Sequence, residues 1–296
     1  MNNDLTEQVK KIIDNKIING RGIAAQLFFD ITREVARLPF KPVLCDVVVG
    51  NDPVSLSYVN IKGKRAKECG MEFSLVQLPD TSTEEEIIAA IKQQQENKNL
   101  CGLIVQLPLP PNLDAGRILE QINLEIDVDA INPRASHSSQ SKNLVPPTAG
   151  AILHILNNLP QDLVPDLSKE KFVVLGQGDL VGKPVTENLQ ALGYEVETVL
   201  ADTPNRAEIL KSATVIISGV GKAGILTGDE VGENVIVIDA GTSESGGSIA
   251  GDVDFATVAP KARMITPSPG GVGPVTVAKL LENVLKVAQS RARLDT

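Results

Sequence analysis

The residues with the clearest chemical potential are Tyr58 and Lys62, which lie four positions apart. This spacing places both side chains on one face of a predicted helix that follows a strand-like run ending at Gly50. Gln106 ends another predicted strand, and ligands of open α/β sheets bind beyond the carboxyl ends of strands. A lysine beside a phenol and an amide loses hydration, which favours the neutral amine and allows proton exchange. The alternative is a surface lysine near a packed tyrosine.

A pair of aspartates, Asp127 and Asp129, follows a short predicted helix. In an extended segment, residues two apart point the same way. One carboxylate can accept two N–H donors, as an amino-pyrimidine ring would offer. The alternative is a pair of solvated loop aspartates.

Three glycines, Gly176, Gly178 and Gly182, separate the strand-like run FVVL from a predicted helix. Their GxGxxxG spacing differs from the usual GxGxxG, but their place between strand and helix favours a dinucleotide phosphate site over an ordinary turn. Asp202 lies 20 residues beyond Gly182, where an acidic residue can bind the adenosine ribose and favour NAD over NADP. Asp202 as a plain turn residue, and Arg206 as either a 2′-phosphate ligand or a surface charge, remain open alternatives.

A proline- and glycine-rich segment, PSPGGVGP at residues 267–274, precedes a predicted helix that begins at Thr276. Prolines make such a segment rigid, and glycines let other groups approach its backbone. The segment predicts a ligand site at a helix N-terminus without naming a chemistry.

The elements that position these residues alternate between strands and helices. Strands are predicted at 43–49, 73–77, 100–106, 172–175, 195–200, 215–218 and 235–239, and helices at 22–37, 55–67, 83–95, 117–122, 144–158, 181–192, 207–212 and 276–291. Such alternation implies parallel sheets, and the polar residues 136–143 predict a loop. We therefore expect two α/β domains with a cleft between them. Residues 1–140 would form an N-terminal catalytic domain, and residues 141–275 a Rossmann-like domain. The terminal helix, 276–296, would pack back on the first domain.

Composition excludes several classes of protein. The net charge of −9 argues against nucleic-acid and anionic-membrane partners, which require a basic face. The chain has three cysteines without metal-ligand spacing and two distant histidines, so no metal site is expected. No apolar run reaches the roughly 18 residues of a membrane span. These features predict a soluble, cytoplasmic protein.

The chain resembles the bifunctional methylenetetrahydrofolate dehydrogenase/methenyltetrahydrofolate cyclohydrolase family. The resemblance rests on VGNDPVSLSYVNIKGK, GLIVQLPLP, DVDA, VVLGQGDLVGKP, VIVIDAG, GDVDF and ITPSPGGVGPVTVAKLLEN, which occur in the family's order over nearly the whole chain. It implies oxidation of 5,10-methylenetetrahydrofolate with NAD(P), followed by hydrolysis of the methenyl product to 10-formyltetrahydrofolate. It also implies a homodimer paired through the dinucleotide domain.

The resemblance assigns roles to particular residues. Lys62 would handle the proton of the cyclohydrolase step, Gln106 would tune it, Tyr58 would stack on the folate, and Asp129 would bind the pterin. The remaining substrate-binding residues would be Val105, Leu107, Pro269, Gly270 and Gly273. The cofactor-binding residues would be Gly176, Gln177, Gly178, Val181, Gly182, Asp202, Thr242, Gly271, Val272 and Thr276.

Several positions depart from the family pattern. Ala130 stands where the family has glycine after DVD, and Gly178 replaces the serine of its nucleotide loop. Leu200 and Ala201 replace a His-Ser pair that serves the 2′-phosphate of NADP. NADP is therefore the family default, with NAD as the alternative cofactor. The alternative functions are an enzyme that retains one of the two activities, another two-domain dehydrogenase similar to shikimate dehydrogenase, or a non-catalytic dinucleotide- or folate-binding module.

Overall fold

The computed structural model describes residues 16–135, 144–164, 166–245 and 248–294, and these form two compact units. The first domain comprises Ala25–Pro147 and Val277–Thr296, and the second comprises Met1–Ala24 and Thr148–Thr276. The loop predicted at 136–143 lies outside the described residues. The elements are, in chain order, α1 (Gly20–Val35), β1 (Val43–Val49), α2 (Pro53–Glu68), β2 (Glu72–Leu78), α3 (Glu84–Gln95), β3 (Leu100–Val105), α4 (Ala115–Leu119), α5 (Pro147–Asn157), β4 (Phe172–Leu175), α6 (Gly182–Ala191), β5 (Val196–Val199), α7 (Arg206–Ser212), β6 (Val215–Ser218), β7 (Val235–Asp239), β8 (Ser243–Ser245), β9 (Ser248–Ala250), α8 (Phe255–Val258), β10 (Ala262–Ile265) and α9 (Val272–Leu294).

The first domain is built on a parallel sheet in the order β2-β1-β3. All seven residues of the central strand β1 are buried, as expected for a strand covered on both faces. The C-terminal part of α9 contributes Leu281 and Val284 to the same core. A Cβ at Gly102 would lie 2.9 Å from Val284 Cγ2, so this glycine lets the helix approach β3 closely.

The second domain contains a five-stranded parallel sheet in the order β10-β7-β6-β4-β5. Its first strand, β4, therefore lies between its second strand, β5, and its third, β6. This is the doubly wound order whose topological switch point, between the first and third strands, is the usual place for a ligand. Two α/β domains with parallel sheets, the second of the dinucleotide-binding type, confirm the predicted fold class.

A short segment before the first domain packs with the second domain. The described residues 16–24, which fall within the 1–140 predicted for the first domain, group with the second unit. Ile18 N donates to Ile265 O at 2.8 Å, and Ile265 N donates to Lys16 O at 2.9 Å. These bonds attach the segment beside β10, and local sequence patterns do not reveal a pairing between positions so far apart.

Two other expectations about the second half were incomplete. Helix α9 begins at Val272 rather than Thr276 because Pro274 falls in its first turn, where a missing N–H leaves no hydrogen bond unmade. Strand β10 and the β8–β9 hairpin were missed; Arg263 interrupts the apolar pattern of β10. Among the described residues, no helix combines the length and apolar character needed to span a membrane.

Candidate active site and dinucleotide-binding loops

The ammonium group of Lys62 is held inside the first domain. Helix α2 begins directly after β1, with Pro53 at its start and the Asp52 carboxylate accepting from Ser55 N at 2.8 Å. Ten residues into the helix, Lys62 is only 2% exposed. Its Nζ donates to Gln106 Oε1 at 2.8 Å. The lysine is therefore a buried polar group rather than a surface charge.

Gln106 is itself fixed at both ends. Its backbone N donates to Val47 O at 2.9 Å, which extends the pairing of β3 with β1 by one residue. Its side-chain Nε2 donates to Leu107 O at 2.6 Å. With the amide nitrogen engaged, Oε1 is directed at Lys62 as an acceptor.

A carboxylate that the sequence reasoning missed completes this arrangement. Asp46 is fully buried in the centre of β1, and its Oδ2 lies 2.5 Å from Lys62 Nζ. A carboxylate in a fully buried strand costs several kcal/mol unless a partner compensates it. The signal was present in the sequence as a single acidic residue within VLCDVVV.

Burial shapes the ionisation of the groups around Lys62. Desolvation raises the pKa of Asp46 to about 6, although the Lys62 charge and hydrogen bond act in the opposite direction. Tyr58, whose ring centroid lies 5.1 Å from Lys62 Nζ, has a pKa above its ordinary value because of desolvation and the nearby Asp129 and Asp46 charges. Its phenol is therefore neutral at physiological pH. Its side chain is 36% exposed, so the ring offers a surface for stacking.

The two aspartates of DVD have separate surroundings. Asp127 is 2% exposed and accepts from Asn132 N at 2.9 Å, while burial raises its pKa to about 7. Asp129 is half-buried; desolvation raises its pKa, and the charge of Lys62 lowers it. The segment is a turn rather than an extended strand, because Ala130 N donates to Asp127 O at 3.1 Å and Ala130 has φ of 54°. Asp127 thus holds the turn, and Asp129 lies near enough to Lys62 for the lysine charge to affect its ionisation.

The structure brings together Tyr58, Lys62, Gln106 and Asp129, and adds Asp46 to them. The side chain of Val105 is 1% exposed in the core, which leaves its backbone as the part that a ligand could touch. Leu107 is half-buried.

In the second domain, the glycine loop after β4 is tightly closed. Gly176 has φ of +93°, and a Cβ there would lie 2.8 Å from Gly219 O. A Cβ at Gly182, the first residue of α6, would lie 2.0 Å from Gly176 O. Gly178, by contrast, is exposed, and a Cβ there would meet nothing within 4 Å. The loop therefore needs glycine at its two ends and leaves open space at its centre.

The start of α6 is suited to an anion. Val181 precedes the helix without a side-chain cap. Pro184 has no N–H and Lys183 N donates to Gly178 O at 3.2 Å, which leaves Gly182 N as the first-turn donor that can attract negative charge together with the helix dipole. The side chain of Gln177 is turned inward, where its Nε2 donates to Gly176 O at 2.9 Å and Thr186 Oγ1 at 3.0 Å. Any phosphate contact of Gln177 would therefore come from its backbone.

A second glycine loop, after β6, was missed from the sequence. Gly219 lies against Gly176 at the topological switch point, because a Cβ added to Gly176 would clash with Gly219 O. The carboxylate of Asp252 accepts from the backbone N–H groups of Val220, Gly221 and Lys222 at 2.6, 2.9 and 2.9 Å. It also accepts from Ser218 Oγ at 2.7 Å. The glycines in VIISGVG directly after a predicted strand were the available signal.

Comparison with known proteins decides the family. The catalytic-domain model of tetrahydrofolate dehydrogenase/cyclohydrolase matches residues 18–129, and the model of its NAD(P)-binding domain matches residues 146–292. The chain belongs to the tetrahydrofolate dehydrogenase/cyclohydrolase family. This confirms the resemblance that the sequence motifs indicated.

Relatives match the chain over almost its full length. It is 37% identical over 287 residues to the bifunctional protein FolD of Staphylococcus aureus, covering 95% of this chain and 99% of that protein. It is 35% identical over 285 residues to the bifunctional protein FolD of Lactobacillus delbrueckii, with the same coverage. The Trypanosoma brucei methylenetetrahydrofolate dehydrogenase-cyclohydrolase, solved with NADP and an inhibitor, superposes with a TM-score of 0.86 at 32% identity, covering 94% of this chain and 98% of that one.

The region after β5 contains the residues predicted to contact the adenosine half of the cofactor. Asp202 is exposed in a turn, two residues after an exposed Leu200. Arg206 is engaged elsewhere, pairing with Glu230 at 2.7 Å and donating to Ile225 O at 2.8 Å. A guanidinium so occupied is a poor candidate for the 2′-phosphate. Thr242 is exposed in the segment after β7.

The PSPGGVGP segment of the family packs tightly against the N-terminal chain. A Cβ at Gly20 would lie 1.8 Å from Gly271 O, and a Cβ at Gly271 would lie 2.5 Å from Pro267 O. Gly270 has φ of +108°. The remaining predicted residues differ in accessibility: Pro269 and Gly273 are exposed, whereas Val272 and Thr276 are buried. Thr276 Oγ1 donates to Val272 O at 3.2 Å, so its hydroxyl is used within α9.

Proposed function

We propose that this chain oxidises 5,10-methylenetetrahydrofolate with a nicotinamide dinucleotide and hydrolyses the methenyl product to 10-formyltetrahydrofolate. The observation that carries this proposal is the buried Lys62 ammonium, held by Gln106 and close to Tyr58 and Asp129. It lies in a chain that matches both domains of the dehydrogenase/cyclohydrolase family.

Each group around Lys62 has a chemical task in this proposal. The half-exposed ring of Tyr58 offers a stacking face for the pterin. The Asp129 carboxylate can accept two N–H bonds from an amino-pyrimidine. Lys62 manages the proton when water adds to the methenyl carbon and the ring opens.

The residues of the second domain support the proposal of a dinucleotide cofactor. Residues present there fit a dinucleotide: Gly176 and Gly182 allow the loop to close, Gly178 leaves space, and the uncapped start of α6 can receive a phosphate. When bound, the nicotinamide would accept the hydride. We propose NADP, which the Trypanosoma brucei relative binds. The engaged Arg206 and the exposed Asp202 favour use of NAD as well.

A pair of absorbance assays tests the function. Purified protein should form methenyltetrahydrofolate from the methylene compound when NADP or NAD is added, and it should then hydrolyse the methenyl compound. Lys62→Met should reduce hydrolysis by at least about 100-fold while dehydrogenation falls far less. Lys64→Met, on the exposed side of the same helix, is the control. Equal loss of both activities in Lys62→Met would assign Lys62 to substrate binding alone. Hydrolysis or oxidation missing from the wild-type protein would indicate that one activity has been lost.

We also propose a homodimer formed through the second domain. Strand β5 lies at the edge of the five-stranded sheet, and the apolar side chains of Leu192 and Leu200, which flank it in sequence, are 59% and 45% exposed. Exposed apolar groups beside an unpaired strand favour association. Light scattering should give twice the monomer mass, and Leu200→Glu should lower it. A monomer mass for the wild-type protein would contradict the proposal.

A further inference from the structure

Asp46 is an acidic residue in an environment that opposes charge. Its neighbours in β1, Cys45 and Val47, are both fully buried, and Asp46 itself is 0% exposed. Among the described residues, Lys62 is the group within ion-pair distance of its carboxylate, and neither carboxylate oxygen receives a hydrogen bond of normal geometry from them. An arrangement that only stabilised the fold would be better served by an apolar side chain of similar size.

The geometry around Lys62 leaves one donor direction open. An ammonium has three N–H groups. One donates to Gln106 Oε1 at 2.8 Å, and Nζ also lies 2.5 Å from its ion-pair partner Asp46 Oδ2. A remaining N–H can reach a water molecule or a substrate on the side of Tyr58. A carboxylate in contact stabilises an ammonium ion, whereas burial alone opposes its charge.

We propose that Asp46 is a positioning residue for the cyclohydrolase step, which fixes Lys62 between its own carboxylate and Gln106 and takes up a proton from it during hydrolysis. This inference rests on the proposed function, because it concerns the same reaction. The protein then handles the proton with a buried pair rather than with a single lysine.

Protons move through the buried pair as water adds to the methenyl carbon: Lys62 Nζ passes one proton to Asp46 Oδ2 and receives one from the attacking water. The bond between this carbon and N5 then breaks, N5 gains a proton, and the carbon hydroxyl loses its proton to become the formyl oxygen. One proton of the original water molecule thus remains on N5, the other leaves to solvent, and the pair returns to its starting state.

Other ionisable groups near the pair bear on its pH dependence. Tyr58 lies on the same helix as Lys62, Asp129 approaches from the turn after α4, and Cys45 precedes Asp46 on β1. Tyr58 has a pKa raised above its ordinary range, and burial raises the pKa of Cys45 to about 12, so neither ionises near neutral pH. Asp129 is the remaining group whose charge changes with that of the pair.

Asp46→Asn tests the proposal through the pH profile of hydrolysis. Removing the carboxylate favours the neutral form of Lys62, so the part of the profile that depends on Lys62 should move by at least one pH unit to lower pH. The dehydrogenase profile should not move, and the KM for the methenyl substrate should change less than threefold. Asp46→Glu, which keeps a carboxylate, should retain the wild-type profile, and Cys45→Ser controls for disturbance of β1. A uniform loss of rate in Asp46→Asn without a shift of the profile would overturn the proposal.

A measurement on the wild-type protein does not depend on the variant folding. With ¹³C-labelled lysine and aspartate, and Lys62→Arg and Asp46→Asn spectra for assignment, the Asp46 carboxyl resonance should titrate near pH 6. The Lys62 Cε resonance should shift over the same range. A Lys62 resonance that does not respond to ionisation of Asp46 would overturn the proposal even if hydrolysis is normal. Absence of hydrolysis in the wild-type protein, with the two resonances coupled, would refute the proposed function and with it the role of the pair in hydrolysis, although the two groups would still share a proton.

Discussion

Replacing Lys62 with methionine should destabilise the protein in a pH-dependent way. Methionine keeps a flexible apolar stem in the same space but removes the ammonium. The Asp46 carboxylate, which is fully buried, then loses the partner 2.5 Å away. Breaking a buried ion pair by deleting one member costs about 3–5 kcal/mol, because a charge is left uncompensated.

Protonation of Asp46 in the folded variant limits this loss of stability, and the loss therefore depends on pH. With Lys62 present, the pKa of Asp46 is already raised to about 6, and the lysine charge lowers it from a higher value. Without the lysine, the folded variant keeps its proton above pH 6, whereas the unfolded chain has released it. A carboxyl group whose pKa is higher in the folded than in the unfolded state makes the free energy of unfolding fall as pH rises between those two pKa values, by about 1.4 kcal/mol per pH unit. In the wild-type protein this fall ends near pH 6; in the variant it continues.

Urea unfolding followed by circular dichroism at pH 6 and pH 8 measures the effect. The gap between wild-type and Lys62→Met proteins should be wider at pH 8 by up to about 3 kcal/mol. Lys64→Met removes an exposed ion pair, 3.9 Å long, and should change stability by no more than about 0.5 kcal/mol at either pH. The double variant Asp46→Asn/Lys62→Met should remove the widening of the gap between pH 6 and pH 8. A gap that stays constant between the two pH values would refute the reasoning.

Three further predictions concern single residues. Ala130→Gly should stabilise the protein by about 0.5–1 kcal/mol in urea unfolding, because Ala130 has φ of 54° and only glycine adopts this region without strain; a loss of stability would contradict this. Asp202→Ser should raise kcat/KM for NADP relative to NAD by about fivefold, since a nearby carboxylate repels the 2′-phosphate; an unchanged ratio would exclude Asp202 from the cofactor site. Because the pKa of Asp127 is raised to about 7, its ionisation should lower the free energy of unfolding of the wild-type protein as pH rises from 5 to 7. The stability of Asp127→Asn relative to the wild-type protein should therefore increase over this range by up to about 1.4 kcal/mol per pH unit; stability curves that stay parallel would contradict this.

The fold was predictable where local pattern and tertiary role coincide. The strands Val43–Val49, Phe172–Leu175, Val215–Ser218 and Val235–Asp239 have the predicted bounds because each is a continuous run of mostly β-branched residues buried in a parallel sheet. The local sequence pattern failed to predict elements that form only through pairing with residues distant in sequence. Strand β10 contains Arg263 and becomes recognisable only through its pairing with β7.

Some residues of the candidate site were predictable from the sequence and others were not. The spacing of Tyr58 and Lys62 indicated a shared helical face, but family resemblance was needed to choose function over a surface lysine. Asp46 was missed because a lone acidic residue in a strand has no local signature of its partner, which lies on the following helix. Such a residue predicts a buried counter-ion, and this signal can be sought in other sequences.

The two glycine loops at the switch point differ in whether their backbone is free. The Asp252 carboxylate already accepts hydrogen bonds from three consecutive N–H groups after β6. The conformation of this loop is therefore fixed by a protein carboxylate and does not require a bound cofactor. At the start of α6, which has no side-chain cap, Gly182 N is the backbone donor that an incoming phosphate could still meet. One protein carboxylate, supplied from the chain after β9, thus occupies the donors of one of the two neighbouring loops before any ligand binds.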